Sequence, residues 1–397
     1  MGESLSVGVV GGGIGGLAVA LGLLRDGHDV HVYEQAGRLS EVGAGVQVSP
    51  NASRVLHGLG LAGALAATGV QPLAWHQRRW EDGRTLLRAP VAFAFPHYQM
   101  HRADLLRALA GALPSERIHL GHRLTGLVQH VDGVRARFAG SPPARFDVLV
   151  GADGIHSSVR RLLFGPGDAR FTGCVAYRGI VPAERLRHLD LEVTAQIWMG
   201  PGRHFVHYFI SGRRLVNFVA VVEQDHWTRE SWTDRARIAD VRAAFAGWHP
   251  QVREIIGAAD ETYLWALLDR PPIPRWSDGR VTLLGDAAHA MLPFMAQGAA
   301  QAVEDGATLT ACLRAGDVTA ALALYERLRL PRTSRLQEMS AGNKTRFHLP
   351  DGPAQRERDA QMAAGSRAWS FNALDWLYDH DAATSVGSVS GAPADRR

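Results

Sequence analysis

Cysteine is nearly absent: Cys174 and Cys312 are the only two in 397 residues, and they stand far apart. That excludes a disulfide framework and a cysteine-based zinc site, and it suits a reducing cytoplasm. The chain has 18 histidines, yet none form an H-E-x-x-H arrangement, so no metal site is expected. No dense Lys/Arg run occurs and the formal net charge is only +4, which makes nucleic acid a poor partner. The residues before the first apolar run include Glu3 but neither Lys nor Arg, so a signal-peptide n-region is lacking. There is no internal repeat. What remains is ordinary for a soluble globular chain, 46% hydrophobic and 21% charged, with length enough for two sizeable cores.

Residues 7–35 carry the strongest local signal. Residues 7–24 hold no charge and nearly reach bilayer length, but seven glycines break the run, and membrane insertion is not expected. The stretch reads instead as strand, glycine turn, helix, turn, strand. Gly11, Gly13 and Gly16 stand in G-x-G-x-x-G register. The first allows the sharp turn, the second lets backbone N–H groups approach a pyrophosphate, and the third lets helix and strand pack closely. Glu34 follows at the end of the second strand, where its carboxylate can hold an adenosine ribose and would repel a 2′-phosphate. A lone glycine motif is weak in a chain with 43 glycines. Its strand, its helix and Glu34 together point to a dinucleotide.

Further signals follow in chain order. Arg38 reaches toward phosphate or is a solvated loop arginine. Residues 43–47 are small and offer bare backbone to a flat ring system, and Asn51 is placed as the N-cap of a helix over 52–61. Residues 71–98 read as a hairpin inserted into the nucleotide-binding unit. Arg102, in the first turn of a helix, opposes the local dipole and calls for an anionic partner. Asp153 and Asp286 each fall where a strand runs into a helix, the place where open α/β sheets bind ligands; a capped turn is the plain alternative for Asp153. Gln297, Gly298 and Ala299 again offer backbone before a helix. Between 171 and 268 the pattern is mostly β, with one helix at 238–248; on its hairpin His207 and Tyr208, being adjacent, cannot both face one site. A long helix over 318–347 is read as broken near Pro331, and the tail after Ala382 as disordered.

Taken in order, GGGIGG at 11–16, GAGVQVSPN at 43–51, HRADLL at 101–106, GADGIHSSVR at 151–160 and GDAAHAMLPFMAQGAAQAVEDG at 285–306 make a specific set. The sequence resembles the single-component, FAD-dependent aromatic hydroxylases (group A flavoprotein monooxygenases), with salicylate, 3-hydroxybenzoate and 6-hydroxynicotinate hydroxylases as nearest kin. The resemblance covers the chain to about residue 379. It implies an α/β fold: a Rossmann-type FAD-binding domain, an inserted β-sheet substrate domain of the p-hydroxybenzoate-hydroxylase kind, and a helical C-terminal region. The boundaries drawn are 1–70, 100–165 and 277–320 for the FAD-binding domain and 71–99 and 170–276 for the substrate-binding β domain. The C-terminal helices then occupy 321–380 and a disordered tail 383–397. It also implies that Gly15, Glu34, Gln35, Arg102 and Leu124 hold the adenosine diphosphate half of FAD, that Asp286 binds the ribityl chain, and that Gln297 to Ala299 present backbone to the isoalloxazine edge. Asp153 and Gly154 belong to a motif that serves both FAD and the reduced nicotinamide. The implied reaction takes electrons from NADH or NADPH and transfers one atom of O₂ to an electron-rich ring through a flavin C4a-hydroperoxide. The absence of a second dinucleotide motif agrees with such enzymes.

Two departures bear on substrate. Where the hydroxynicotinate enzyme has a histidine base this chain has Gln47, and Pro293 is followed by Phe294 where two of these relatives carry histidine. The site is thus greasier, and His207, Tyr208 or Gln47 is left as candidate base, with Pro293 and Phe294 lining the substrate pocket. The leading reading is hydroxylation of a small phenolic, anthranilate-like or salicylate-like acid. Epoxidation or Baeyer–Villiger oxygenation of a larger polycyclic substrate is a second, and a non-oxygenating flavin reductase or flavin-binding regulator a third. A cytoplasmic monomer or homodimer is expected, with the aromatic substrate and O₂ as its small-molecule partners.

Overall fold

The computed structural model describes residues 3–39, 44–225, 235–314, 316–365 and 374–386. Gly43 and the tail from 387 onward, both singled out in the sequence, lie outside the described residues. Near-continuous apolar runs build a buried sheet of six strands in the order Ser277–Asp278, Val281–Leu283, Val148–Gly151, Ser6–Val10, Asp29–Glu34, Ile118–Leu120. All neighbours run parallel except the first pair, so the carboxyl ends of the central strands open on one side. Helix Ile14–Arg25 lies against helix Gly298–Leu313, and the buried residues of both join the same core as Val7, Val9, Val148 and Val150.

The second large sheet has eight strands, ordered Arg235–Ala236, Thr262–Asp269, Arg170–Pro182, Leu215–Glu223, Arg203–Ile210, Ala195–Gly200, Ala74–Arg79, Thr85–Pro90. The hairpin from residues 74–90 therefore completes this sheet, through a parallel pairing of Ala195–Gly200 with Ala74–Arg79. Its two faces bury different partners. One, with Phe205, Phe218 and Trp198, is covered by helices Ile238–Ala244 and Pro250–Gly257. The other, with Ala176, Met199 and Val221, packs on Leu292, Phe294 and Phe347.

Three local expectations are corrected. The helix near 52–61 spans Pro50–Gly58, so Ser49 is its cap and Asn51 lies inside it; proline pre-set for the first turn moves the start upstream. Two helices, not one, follow residue 237, because the turn at Gly247 (φ +80°) ends the first and Pro250 starts the second. Helix Val318–Phe347 runs unbroken through Pro331. The Thr333 hydroxyl donates back to the carbonyls of Arg329 and Leu330 beside the proline, and Arg329 is itself locked by ion pairs. No described helix is long and apolar enough to cross a membrane.

Candidate active site

The first strand delivers the chain to Gly11, where φ is +109° and an added Cβ would sit 2.3 Å from the Ala152 carbonyl oxygen. Gly16 is as confined, its Cβ position lying 2.0 Å from the Gly11 oxygen, and Gly15 faces Leu284 and Ala302. Gly13 differs: no atom lies within 4 Å of its Cβ position, and it caps the 12-residue helix Ile14–Arg25. An open glycine at a helix N-terminus is a cradle for phosphate oxygens. Glu34 accepts the Gly12 and Ala36 N–H groups at 2.7 and 2.8 Å. It so ties the strand end to the phosphate turn while keeping lone pairs for a ribose hydroxyl. Gln35 and Arg38 are exposed on the rim, and Leu124 is buried at the start of strand Leu124–His130.

Asp286 opens helix Asp286–His289 with Oδ1 3.8 Å from the open Cβ position of Gly298. Arg102 is pushed down by burial and pulled back by the charge of Asp286, which supplies the anion its helix position demanded. Gln297 is buried, its side chain held by Ser49 and Asn51, and it fixes the start of helix Gly298–Leu313. That helix is anchored behind by Glu304 and Asp305, both fully buried, which pair with Arg329 at 2.5 and 2.7 Å. Asp153 serves as a cap: its carboxylate accepts the Ser157 hydroxyl at 2.5 Å and the Ser158 N–H at 2.7 Å, while Gly154 beside it (φ +75°) has open space around it. The open cradle at Gly13, the open Gly298 beside Asp286 and the bare backbone at residues 297–299 fit FAD lying across the carboxyl ends of the sheet.

The eight-stranded sheet faces these turns with one set of alternate residues. On strand Arg203–Ile210, Phe205 and His207 point to the helix-covered face, whereas His204, Val206 and Tyr208 point the other way. His204 meets the Phe294 ring edge-on at 4.9 Å between centroids, and its Nδ1 lies 2.6 Å from His348 Nε2. Tyr208 lies against the backbone of Gly45: a Cβ there would come within 2.6 Å of its hydroxyl, and the Gly45 N–H donates to Asn217 Oδ1 at 2.7 Å. Burial raises the Tyr208 hydroxyl above its usual range. In the same row as Val206, across Val219, comes Arg178, stacked on the Trp265 ring at 4.3 Å. Burial pushes Arg178 down to about 10, and among the described residues its Nε carries no hydrogen bond.

The profile of the FAD binding domain family matches residues 4–340. The chain is 43% identical to 3-amino-4-hydroxybenzoate 2-monooxygenase of Streptomyces platensis over 390 residues, covering 96% of this chain and 97% of that one. It is 38% identical to 6-hydroxynicotinate 3-monooxygenase of Pseudomonas fluorescens over 86% of this chain and 92% of that one. A salicylate hydroxylase solved with its substrate superposes with a TM-score of 0.84 at 28% identity, covering 98% of this chain and 99% of that one. The chain belongs to the FAD-dependent aromatic monooxygenases. FAD is the cofactor, NAD(P)H the reductant, and the reaction is hydroxylation of a small aromatic substrate.

Within this monooxygenase the residues named from sequence do not all converge. His207 is turned away from the glycine-rich turns, buried beside Trp198 and Phe205, and held down to about 3 by burial, with Arg78 and His76 adding to it. The pleat of the strand is the reason, since only even-numbered residues there face the turns. Gln47 is bonded to His97 at 3.0 Å, a histidine the sequence reading missed, and burial holds His97 down to about 3. Phe294 is buried against His204 and Phe347, while Pro293 is exposed. His204 and Arg178 were also missed. The signal for His204 was its even spacing with Tyr208.

Proposed function

We propose that this monooxygenase hydroxylates a small aromatic acid bearing a ring hydroxyl, of the 3-amino-4-hydroxybenzoate type on which its 43% identical relative is named to act. The observation that carries this is the single sheet face that presents His204, Tyr208 and Arg178 toward the flavin-binding turns. His204 and Tyr208 are four residues apart, hence about 13 Å along the strand, and the small residues Val206 and Val219 form the floor between them. One benzene ring with its substituents fits that span. A carboxylate needs a cation, and Arg178, stacked and short of a hydrogen-bond partner at Nε, offers a planar fork.

FAD, when bound, supplies the oxygen transfer, drawing its electrons from NAD(P)H. The protein's part is to orient the ring and to take its phenolic proton. His204, held neutral by burial, accepts that proton at Nε2, since Nδ1 is engaged by His348. Deprotonation makes the ring as a whole more electron-rich, most at the carbons ortho and para to the oxygen. A 3-amino group adds electron density at the neighbouring position 2, the carbon the relative's name specifies. The Tyr208 hydroxyl donates to the substrate, and its raised pKa keeps it a donor. Phe294, buried against His204 and Phe347, gives that side of the site an apolar wall.

The test is a panel of benzoates carrying hydroxyl and amino groups in each arrangement, with NADH oxidation measured against product mass. Stoichiometric hydroxylation of 3-amino-4-hydroxybenzoate, with Tyr208→Phe losing about ten-fold or more in coupled turnover, supports the reading. Coupled oxygenation only of polycyclic or carboxyl-free substrates rejects it.

A further inference from the structure

The proton taken from the substrate has to leave a buried site, and one set of side chains leads out of it. His204 is 3% exposed and His348 4% exposed, and their imidazoles are linked at 2.6 Å from Nδ1 to Nε2. His348 Nδ1 in turn lies 2.8 Å from Glu223 Oε1, and the Glu223 side chain is 43% exposed. Three groups from sequence positions far apart thus form one hydrogen-bonded line from the Phe294 wall to solvent. Their backbones are fixed with them. Gly202 N–H donates to the His348 carbonyl at 3.0 Å, and the Glu223 N–H donates to the Gly202 carbonyl at 2.9 Å.

We infer that His204, His348 and Glu223 are a proton exit path that carries the substrate's phenolic proton from the active site to water. This rests on the reading of His204 as the group facing the acceptor ring. The phenol O–H bond breaks as a bond forms between that proton and His204 Nε2. The proton on His204 Nδ1 passes to His348 Nε2, the one on His348 Nδ1 passes to Glu223, and Glu223 releases it to water. No electrons move; the net change is phenol to phenolate plus one solvent proton, with both imidazoles shifted from the Nδ1–H to the Nε2–H tautomer. The same transfers run in reverse reset them when the product phenol is reprotonated. His348 and Glu223 are positioning residues that act through His204.

The neighbouring charges suit the direction. Burial lowers both histidines, so the line rests neutral, while Glu223 pulls His348 back up and makes it the better proton holder of the two. Lys344, whose Nζ is bonded to the Thr172 carbonyl, and Arg203, bonded to the Ala244 carbonyl, both lower His348. A proton is therefore urged onward to the carboxylate and does not stay on the ring. Cys174, whose sulfur lies within 4.8 Å of the His348 and Glu223 ligand atoms, is pushed up to about 11 by burial and stays a thiol. A purely structural histidine pair needs neither the exposed carboxylate nor contact with the pocket wall.

The experiment uses FAD-loaded enzyme mixed with 3-amino-4-hydroxybenzoate in a stopped-flow instrument, following phenolate absorbance across pH. His204→Gln, His348→Gln and Glu223→Gln are compared, with FAD retention as the check on folding. The expected result is that His204→Gln abolishes phenolate formation at neutral pH. His348→Gln and Glu223→Gln should slow it by about ten-fold or more with little change in substrate affinity, and the solvent isotope effect should fall. Glu223, at the surface, keeps the test open should the His348 variant fold poorly. Loss in His204→Gln alone, with wild-type rates and pH profiles in the other two, overturns the path and leaves the base in place. Wild-type phenolate formation in all three overturns the reading of His204, and the path falls with it.

Discussion

At the scale of single residues, the glycines of the first turn divide into those the fold needs and one around which the fold leaves space. Gly16 has a backbone oxygen 2.0 Å from its Cβ position, whereas Gly13 has nothing within 4 Å and an ordinary φ of −76°. Gly16→Ala should therefore cost about 1–3 kcal/mol of stability, because backbone has to shift. Gly13→Ala should fold with wild-type Tm yet bind FAD at least about ten-fold more weakly, about 1.4 kcal/mol, its methyl filling the phosphate cradle. Thermal melts of the apoprotein and FAD titrations separate the two effects. Equal loss of stability in both variants would show that Gly13 is structural too. The same scale explains what could be read in advance. The glycine, Glu34 and Asp286 signals are local, a residue type at a strand end, and such a signal can be read without the rest of the fold. The choice between His207 and His204 was not. Both registers of residues 203–210 carry a histidine and aromatic side chains, and only the distant helices Ile238–Ala244 and Pro250–Gly257 decide which register is covered. His348, 144 residues from His204, had no sequence signal at all.

At the scale of elements, helix Gly298–Leu313 opens on the bare backbone beside Asp286 while burying two carboxylates. Burial by itself would raise Glu304, but Arg329 and Arg332 hold it down to about 2. Asp305 likewise stays lowered against burial by His289 and Arg329. Asn51 also donates to Glu304 at 2.5 Å, which ties helix Pro50–Gly58 to the same centre. Helix Val318–Phe347 tolerates Pro331, a cost of about 3 kcal/mol in an ordinary helix interior, because this ion network fixes the turn on which Arg329 sits. A sequence-based break at Pro331 misses that compensation, since no local rule reports on Glu304. Glu304 has a folded pKa below its unfolded value of 4.5, so its contribution is full above that value and is lost as pH falls toward about 2. Urea midpoints of the wild type should fall between pH 5 and pH 3. Arg329→Met should lose about 3–5 kcal/mol at pH 7, the cost of stranding a buried charge, and show a shallower fall across the same acid range. An Arg329→Met protein with wild-type stability at pH 7 would mean that the carboxylates are satisfied by their other partners.

At the scale of the whole molecule, three turns that fit FAD arise from parts of the chain far apart, around residues 11–16, 151–154 and 285–299. The six-stranded sheet brings them together, and helix Gly298–Leu313 carries the last of them into contact with helix Ile14–Arg25. A ligand spanning such turns binds only the assembled fold, so it stabilises the chain as a unit. Free FAD at 100 times its dissociation constant should add about 2.7 kcal/mol, seen as a Tm that climbs with the logarithm of FAD concentration. Asp286 allows this linkage to be separated from folding. Its side chain is exposed on the turn beside Gly298 and its charge acts on Arg102 from there, so Asp286→Ala should cost the apoprotein about 1 kcal/mol, the scale of a solvent-screened ion pair. The climb of Tm with FAD should then shift to higher FAD concentrations by about ten-fold, the loss of one charge-assisted hydrogen bond to the cofactor's ribityl hydroxyls. A mutant curve that overlays the wild type would reduce Asp286 to the start of a short helix.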